Sequence, residues 1–176
     1  MSTLKVSVGP SDHIQGDADA GCTLVEYGDY ECPHCGRAYP VVKRIQKHFV
    51  KRLRFVFRNF PLNEMHPHAE SAAESAEFAG ARGKFWEMHD LLFENQDRLS
   101  GELYLELAQE LEIDPAELRV ALEEEKYQAR VRTDFTGGVR SGVNGTPTFF
   151  INGRRHDGPF EYEHLVEAIE EALAAA

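Results

Sequence analysis

The segment YGDYECPHCGRAYP, residues 27–40, places two cysteines two residues apart at a predicted junction between a strand and a helix. The run before it, residues 23–27, is β-prone and ends in a Gly-Asp turn signal. After it, apolar residues recur every three or four positions up to Phe49, as on one face of a helix. Residues 53–58 then alternate as a strand, with two arginines opposite three apolar side chains. This order predicts a βαβ unit with parallel strands and a right-handed crossover.

A helical region follows and interrupts the α/β pattern. Apolar stripes at helical spacing predict four short helices, with Ala69–Ala79, Phe85–Phe93, Tyr104–Leu111 and the segment from Asp114 as their cores. We interpret them as an insertion that packs on itself.

The α/β pattern then returns with a helix near 127–139, a strand at 148–151, an Asn-Gly hairpin signal and an amphipathic C-terminal helix. The predicted fold class is α/β, with an N-terminal half at 1–61, a helical insertion at 62–126 and a C-terminal half at 127–176.

Composition excludes some classes of function. Lys and Arg together number 19 against 30 Asp and Glu, a net charge of -11, so we expect neither nucleic acid nor an anionic membrane as the main partner. No stretch approaches the roughly 18 to 20 apolar residues of a membrane span. The N-terminus lacks a secretory apolar region, which predicts a cytoplasmic chain, or a periplasmic or extracytoplasmic one if this is a processed form. We expect a monomer, since no separate dimerisation domain is apparent.

The spacing of Cys32 and Cys35 suits redox chemistry. A thiol attacks as its thiolate, and a helix N-terminus offers free N–H groups and a positive dipole end that stabilise the anion. Cys32 lies where the predicted helix begins, and Cys35 lies one turn later, within reach of a disulfide formed on Cys32. The pair therefore predicts one attacking and one resolving thiol.

Two other interpretations of the cysteines remain open at this point. Zinc would need partners such as Cys22, His66 and His68, but the chain has no second close pair of Cys or His ligands. The cysteines could also be two small core residues. A c-type haem is excluded because Gly36 stands where a histidine would be required. We expect no metal and no cofactor.

Several motifs in the chain together resemble one known family. They are EYGDYECPHC from Glu26, then FRNFPL, HPHAESAAESA, GKFWEMHDLLFENQ and GVNGTPTFFING, in that order. They are similar to those of the DsbA family of thiol:disulfide oxidoreductases, from about His13 to the final helix. The resemblance implies a thioredoxin-like fold with an inserted helical domain. It also implies an enzyme that exchanges disulfides with protein substrates and is recycled by a redox partner.

The same resemblance implies roles for individual residues. Cys32 would be the nucleophile and Cys35 the resolving thiol, with Pro33 and His34 as the dipeptide that tunes their potential. We expect a charged or polarised His34 to stabilise the Cys32 thiolate. Pro147 would be a cis-proline that faces the pair.

The loop at Pro147 and the strand before the cysteines carry two more expectations. Thr146 would offer its backbone to an extended substrate segment beside Cys32, as in strand addition. Glu26 has two interpretations. It is either a buried acid with a raised pKa that exchanges a proton with Cys35, or a strand residue that faces solvent.

The remaining polar residues near the pair receive ordinary interpretations. Asp29, Glu31 and Arg37 are expected to be solvated charges, although each could tune the local potential. His66 and His68 are expected to cap or pack a helix start. Cys22 is expected to be a small buried side chain.

Overall fold

The computed structural model describes residues 2–176, and its elements follow the predicted order. One sheet contains β1 (His13–Gly16), β2 (Cys22–Gly28), β3 (Leu53–Asn59), β4 (Thr148–Ile151) and β5 (Arg154–Arg155). The helices described in this part of the chain are α1 (Pro33–Phe49), α2 (Ala69–Gly80), α3 (Phe85–Glu94), α4 (Gly101–Glu110), α5 (Pro115–Glu123), α6 (Gln128–Arg140) and α7 (Tyr162–Ala175). Short 3-10 turns at Val50–Arg52 and Gln96–Arg98 follow α1 and α3.

The sheet has the strand order β1-β3-β2-β4-β5. Strands β2 and β3 are parallel and α1 connects them, so the predicted βαβ unit is present. All other pairs are antiparallel. The sequence pattern does not predict β1, because its four residues, HIQG, lack an apolar alternation.

The strand after Pro147, β4, lies between β2 and β5 in the sheet. Asn152 and Gly153 have φ angles of 46° and 80°, which fits the predicted two-residue hairpin between β4 and β5. On its other side β4 pairs with β2, where Glu26 lies opposite Phe149 and Tyr27 opposite Thr148. The register therefore brings the Pro147 loop beside the end of β2, directly before the cysteine segment.

The two faces of the sheet are covered by different helices. Leu24 of β2 belongs to a large apolar cluster with residues of α1 and α7, whereas Val25 and Tyr27 belong to a smaller cluster. Phe135 of α6 packs against that smaller cluster. Because side chains alternate along a strand, Glu26 lies on the same face as Leu24, toward the large cluster.

The four predicted insertion helices are α2 to α5, but they do not pack only on themselves. The ring of Phe55 on β3 lies 5.7 Å from Trp86, and the ring of Phe57 lies 4.6 Å from His89. The same large cluster includes apolar residues of α2 to α5 and of the sheet. The interpretation that the insertion packs on itself is therefore wrong for α3, whose aromatic face covers β3. The boundaries at 62 and 126 stay predictions.

A buried ion pair covers the other face of β3. Arg58 donates to both carboxylate oxygens of Asp12, at 2.8 and 2.9 Å, and the two side chains are 3% and 7% exposed. Arg58 also donates to the carbonyls of Val6 and Ser7 and to the hydroxyl of Tyr27. Since all of these partners surround one guanidinium, Arg58 attaches the N-terminal segment to the sheet.

We predict that Asp12→Asn destabilises the protein by about 3 to 5 kcal/mol, because it leaves a buried guanidinium without its counter-charge. Urea unfolding near neutral pH measures the loss. The matched control is Asp97→Asn, an exposed aspartate, which should change stability by no more than about 0.5 kcal/mol. Equal effects of the two substitutions would contradict this account of Arg58.

Candidate active site

Cys32 occupies the N-cap position of α1, and Pro33 is at the first helical position. Proline has no N–H, so the first amide donors of the helix beyond Cys32 are those of His34 and Cys35. The backbone N–H of Gly36 already donates to the Cys32 carbonyl, at 3.0 Å. This start leaves the donors of His34 and Cys35 free to serve the Cys32 sulfur.

The two thiols of the pair, both free in this structure, have opposite electrostatic environments. The pKa of Cys32 is lowered to about 5. A hydrogen bond with Cys35 is the largest cause, and burial opposes it, while Thr146 and the N–H groups of Cys35 and His34 lower it further. Burial raises the pKa of Cys35 well above its ordinary value, as do its bond with Cys32 and the charge of Glu26. Near neutral pH the site therefore holds a Cys32 thiolate beside a Cys35 thiol.

The loop before β4 closes one side of the site. The Thr146–Pro147 peptide bond is cis, as the resemblance implies. The Sγ atom of Cys32 lies 3.6 Å from the carbonyl oxygen of Thr146. Cys32 is 3% exposed and Cys35 is fully buried, so an incoming sulfur can reach only Cys32.

Of the two interpretations of Glu26, the structure supports the buried acid, and the one in which Glu26 faces solvent is wrong. It is 3% exposed and lies between Phe57 and Phe149 in the ladders of the sheet. Its Oε1 atom has no hydrogen-bond partner among residues 2–176. Burial and, to a smaller extent, the negative charge of Cys32 raise the pKa of Glu26 to about 8. At neutral pH this carboxyl group holds a proton that it can exchange.

Asp29 is the site residue that sequence reasoning missed. It is 1% exposed, and its Oδ1 accepts from the backbone N–H groups of Glu31 and Cys32, at 2.8 and 3.2 Å. Its Oδ2 accepts from the N–H of Leu62 and bonds to Nδ1 of His66, at 2.9 and 2.8 Å. The expectation of a solvated Asp29 was wrong. An Asp that accepts from N–H groups two and three residues later is a recognisable turn pattern, and it was the available signal.

His66 likewise does more than cap a helix. Burial lowers its pKa, but the hydrogen bond and the charge of Asp29, with the charge of Cys32, outweigh burial and raise it. Glu31 is partly buried, and its carboxylate accepts from the N–H of His68, at 2.6 Å. The segment 62–68 is thus attached to the cysteine loop through two carboxylates.

His34 and Arg37 lie on the surface. The guanidinium of Arg37 donates to Nδ1 of His34, at 2.6 Å. A guanidinium is always a donor, so Nδ1 accepts this hydrogen bond. The expectation that a charged or polarised His34 stabilises the Cys32 thiolate stays a prediction, and the backbone N–H of His34 also lowers the Cys32 pKa.

Cys22 and the histidines form no metal centre with the pair. Cys22 is fully buried at the start of β2, and burial raises its pKa to about 11. Among residues 2–176, no group of three or more His, Cys, Asp or Glu side chains is arranged to hold a metal ion.

Comparison with known proteins identifies the family. A family model described as Thioredoxin matches residues 9–171, so the chain belongs to this thioredoxin family. Its structure is similar to oxidised BdbD from Bacillus subtilis, with a TM-score of 0.85 and 28% identity over 93% of each chain. A thioredoxin-like oxidoreductase from Silicibacter pomeroyi gives a TM-score of 0.83 and 27% identity, over 96% of this chain and 95% of that one.

The DsbA likeness extends to a more distant structure. Wolbachia pipientis alpha-DsbA1 has the same fold, with a TM-score of 0.83 at 19% identity, over 96% of this chain and 94% of that one. The predicted thioredoxin-like fold and the resemblance to DsbA proteins are thus confirmed.

Curated sequence relatives carry a different kind of name. The chain is 45% identical over 172 residues to "Na(+)/H(+) antiporter NhaA 1" of Salinispora arenicola, a match that covers 97% of this chain. The chain spans only 26% of that relative's length. None of the helices in the described part of this chain has both the length and the apolar character needed to cross a membrane.

The opposite pKa shifts of Glu26 and Cys32 predict compensating effects on stability. The pKa of Glu26 is raised from 4.5 to about 8 in the folded protein. The folded state therefore keeps this proton to higher pH than the unfolded state does, and stability falls as pH rises through that interval. The pKa of Cys32 is lowered from 9.0 to about 5 in the folded protein. The folded state therefore releases this proton at lower pH than the unfolded state does, and stability rises between about pH 5 and 9. Between about pH 5 and 8 the two slopes oppose each other in the reduced protein.

We therefore expect each substitution to reveal the slope of the other group. Urea unfolding of reduced Glu26→Gln should show stability increasing from pH 5 to 8, by up to about 1.4 kcal/mol per pH unit. Cys32→Ser should show a decrease instead. Glu110→Gln, which removes an exposed acid, should retain the wild-type profile. Wild-type profiles in both site variants would contradict these two assignments.

Proposed function

We propose that this protein is a thiol-disulfide oxidoreductase that exchanges disulfides with protein substrates through Cys32 and Cys35. The observation that carries the proposal is the contrast between neighbouring thiols, one with a pKa of about 5 and the other with a pKa well above its ordinary value. A thiolate near neutral pH attacks disulfides and also leaves readily, whereas its buried partner stays protonated until it is needed. The likeness to a thioredoxin-like oxidoreductase from Silicibacter pomeroyi supports this assignment.

The exchange has two steps in the direction that reduces a substrate. The Cys32 thiolate attacks one sulfur of the substrate disulfide, the substrate S–S bond breaks, and the other substrate sulfur leaves as a thiolate. Cys35 then loses its proton and attacks Cys32, which forms the Cys32–Cys35 disulfide and releases the second substrate thiolate. Two electrons pass to the substrate, and the reverse sequence oxidises a dithiol substrate.

Glu26 would serve the second step as a proton acceptor. The charges of Glu26 and Cys35 act on each other inside the protein, and a pKa of about 8 matches proton transfer near neutral pH. In the reductive direction a deprotonated Glu26 accepts the proton of Cys35 through water. In the oxidative direction a protonated Glu26 returns it.

Thr146 and Pro147 would bind the substrate backbone. The Thr146 carbonyl lies 3.6 Å from the Cys32 sulfur, so an extended segment paired with this loop would carry its own sulfur to Cys32. This geometry suits a peptide, whose main chain supplies the pairing groups. Protein thiols and disulfides are therefore the proposed substrates.

We propose that the pair favours oxidation of substrates. Stabilising the Cys32 thiolate stabilises the reduced form, which makes the couple more oxidising by about 30 mV per 1.4 kcal/mol. Pro33 and His34 would contribute through the helix start, Pro33 by fixing the first turn and His34 by its backbone N–H. A separate redox partner must then reoxidise the pair after each turnover.

An oxidising couple belongs in a compartment where protein disulfides persist, outside the cytoplasm. We therefore propose an extracytoplasmic role, the second of the two locations that the sequence analysis predicts. The cytoplasmic prediction has no support in the site. A monomer stays our expectation, and we propose no ion transport for this chain.

The attacking and resolving roles can be tested by trapping. Cys35→Ser should accumulate mixed disulfides between Cys32 and a peptide disulfide, because the step that resolves them is lost. Cys32→Ser should trap nothing, because the buried Cys35 cannot be reached. Non-reducing electrophoresis and mass spectrometry identify the adducts, and Cys22→Ser is the control that should trap no more than wild type. Trapping by Cys32→Ser instead would reverse the assignment.

A further inference from the structure

A glutamine from the helical insertion contacts the cysteine loop directly. Gln96 lies on the 3-10 turn after α3, and its Nε2 donates to the carbonyl oxygen of Tyr30 at 2.9 Å and to that of Cys32 at 2.8 Å. Both hydrogens of one amide group are thus used on two carbonyls of the loop that carries the nucleophile. No role is assigned to Gln96 by the thiol chemistry described above.

Gly36 makes room for this side chain. A Cβ atom on Gly36 would overlap Oε1 of Gln96 and lie 2.9 Å from its Cδ atom, so the glutamine amide rests against the first turn of α1. An alanine at this helical position would otherwise be favoured, because glycine in a helix costs about 1 kcal/mol relative to alanine. The glycine is explained by the glutamine that it accommodates.

The Cys32 carbonyl consequently accepts two hydrogen bonds. One comes from the N–H of Gly36, at 3.0 Å, and the other from Gln96, at 2.8 Å. A carbonyl oxygen has two lone pairs, so both are occupied, and the peptide plane that follows Cys32 is fixed from two sides. The direction of the next N–H groups in the chain, those of His34 and Cys35, depends on how this first turn is set.

We propose that Gln96 is a positioning residue for the Cys32 thiolate: it holds the first turn of α1 so that the N–H groups of His34 and Cys35 point at the sulfur. The inference deepens the proposed function, since it concerns the thiolate on which exchange depends. It also gives the insertion a part in the chemistry, because a residue 64 positions after Cys32 sets the donors around it.

The test compares two substitutions of Gln96 by the pH dependence of thiolate absorbance in the reduced protein. Gln96→Ala removes the donors and the bulk, whereas Gln96→Met removes the donors and keeps a similar bulk. We expect both to raise the Cys32 pKa by about 0.5 to 1 unit, the equivalent of one weakened hydrogen bond. Gln109→Ala, which changes an exposed glutamine on α4, should leave this pKa unchanged.

A double-mutant cycle with Gly36→Ala gives an independent readout. Gly36→Ala displaces Gln96 and should shift the Cys32 pKa as Gln96→Ala does, while the double variant should shift it no further than either single change. In the Gln96→Ala background the new methyl group meets no obstacle from residue 96, so Gly36→Ala should there leave stability unchanged or improve it.

Some outcomes would overturn the proposal. If both Gln96 variants lower stability but leave the Cys32 pKa at the wild-type value, Gln96 is only a structural tether. Additive shifts in the cycle would also contradict it. These results are distinct from failure of the proposed function, in which wild-type Cys32 itself would titrate as an ordinary thiol and would not be trapped with substrate.

Discussion

The site depends on a hydrogen bond between two thiols that cannot be equivalent. Cys35 is fully buried above Glu26, where a negative charge is unfavourable, and Cys32 lies at a helix start, where amide donors favour one. The proton therefore stays on Cys35, whose thiol donates a hydrogen bond to the Cys32 sulfur. The fold has to keep these two environments different while the sulfurs remain close enough to bond.

Three separate parts of the chain maintain this asymmetry. Strand β2 buries Glu26 between two phenylalanines beneath the pair. The buried carboxylate of Asp29 binds the N–H of Cys32 on one side and Leu62 and His66 on the other, which connects the loop to the segment that enters the insertion. The insertion packs its α3 aromatic face on β3, and its contact with the sheet places residues such as His66 and Gln96 beside the active loop.

Sequence reasoning predicted the features that depend on local pattern. The CxxC spacing, the proline after Cys32 and the apolar periodicity of α1 are short-range signals, and they place Cys32 at a helix start. It did not predict β1, which has no alternation of its own and is a strand only because β3 offers it an edge. Burial of Glu26 does not follow from the sequence, because alternation alone does not show which face of a strand is covered.

The errors have a common physical cause, since they concern contacts between residues that are distant in sequence. Asp29 is a loop carboxylate whose burial depends on a segment more than 30 residues later, which supplies Leu62 and His66. Gln96 is the last residue of the motif GKFWEMHDLLFENQ, but its bonds to the loop follow from how the insertion docks.

The contrast between the two thiols can be measured by the pH profile of alkylation of the reduced protein by iodoacetamide. We expect a single cysteine, Cys32, to react, with a rate that rises with a midpoint at about pH 5, while Cys22 and Cys35 stay unmodified in the folded protein. Mass spectrometry of the product assigns the site. A midpoint near 9, the ordinary value of a cysteine, or equal modification of Cys32 and Cys35, would contradict it.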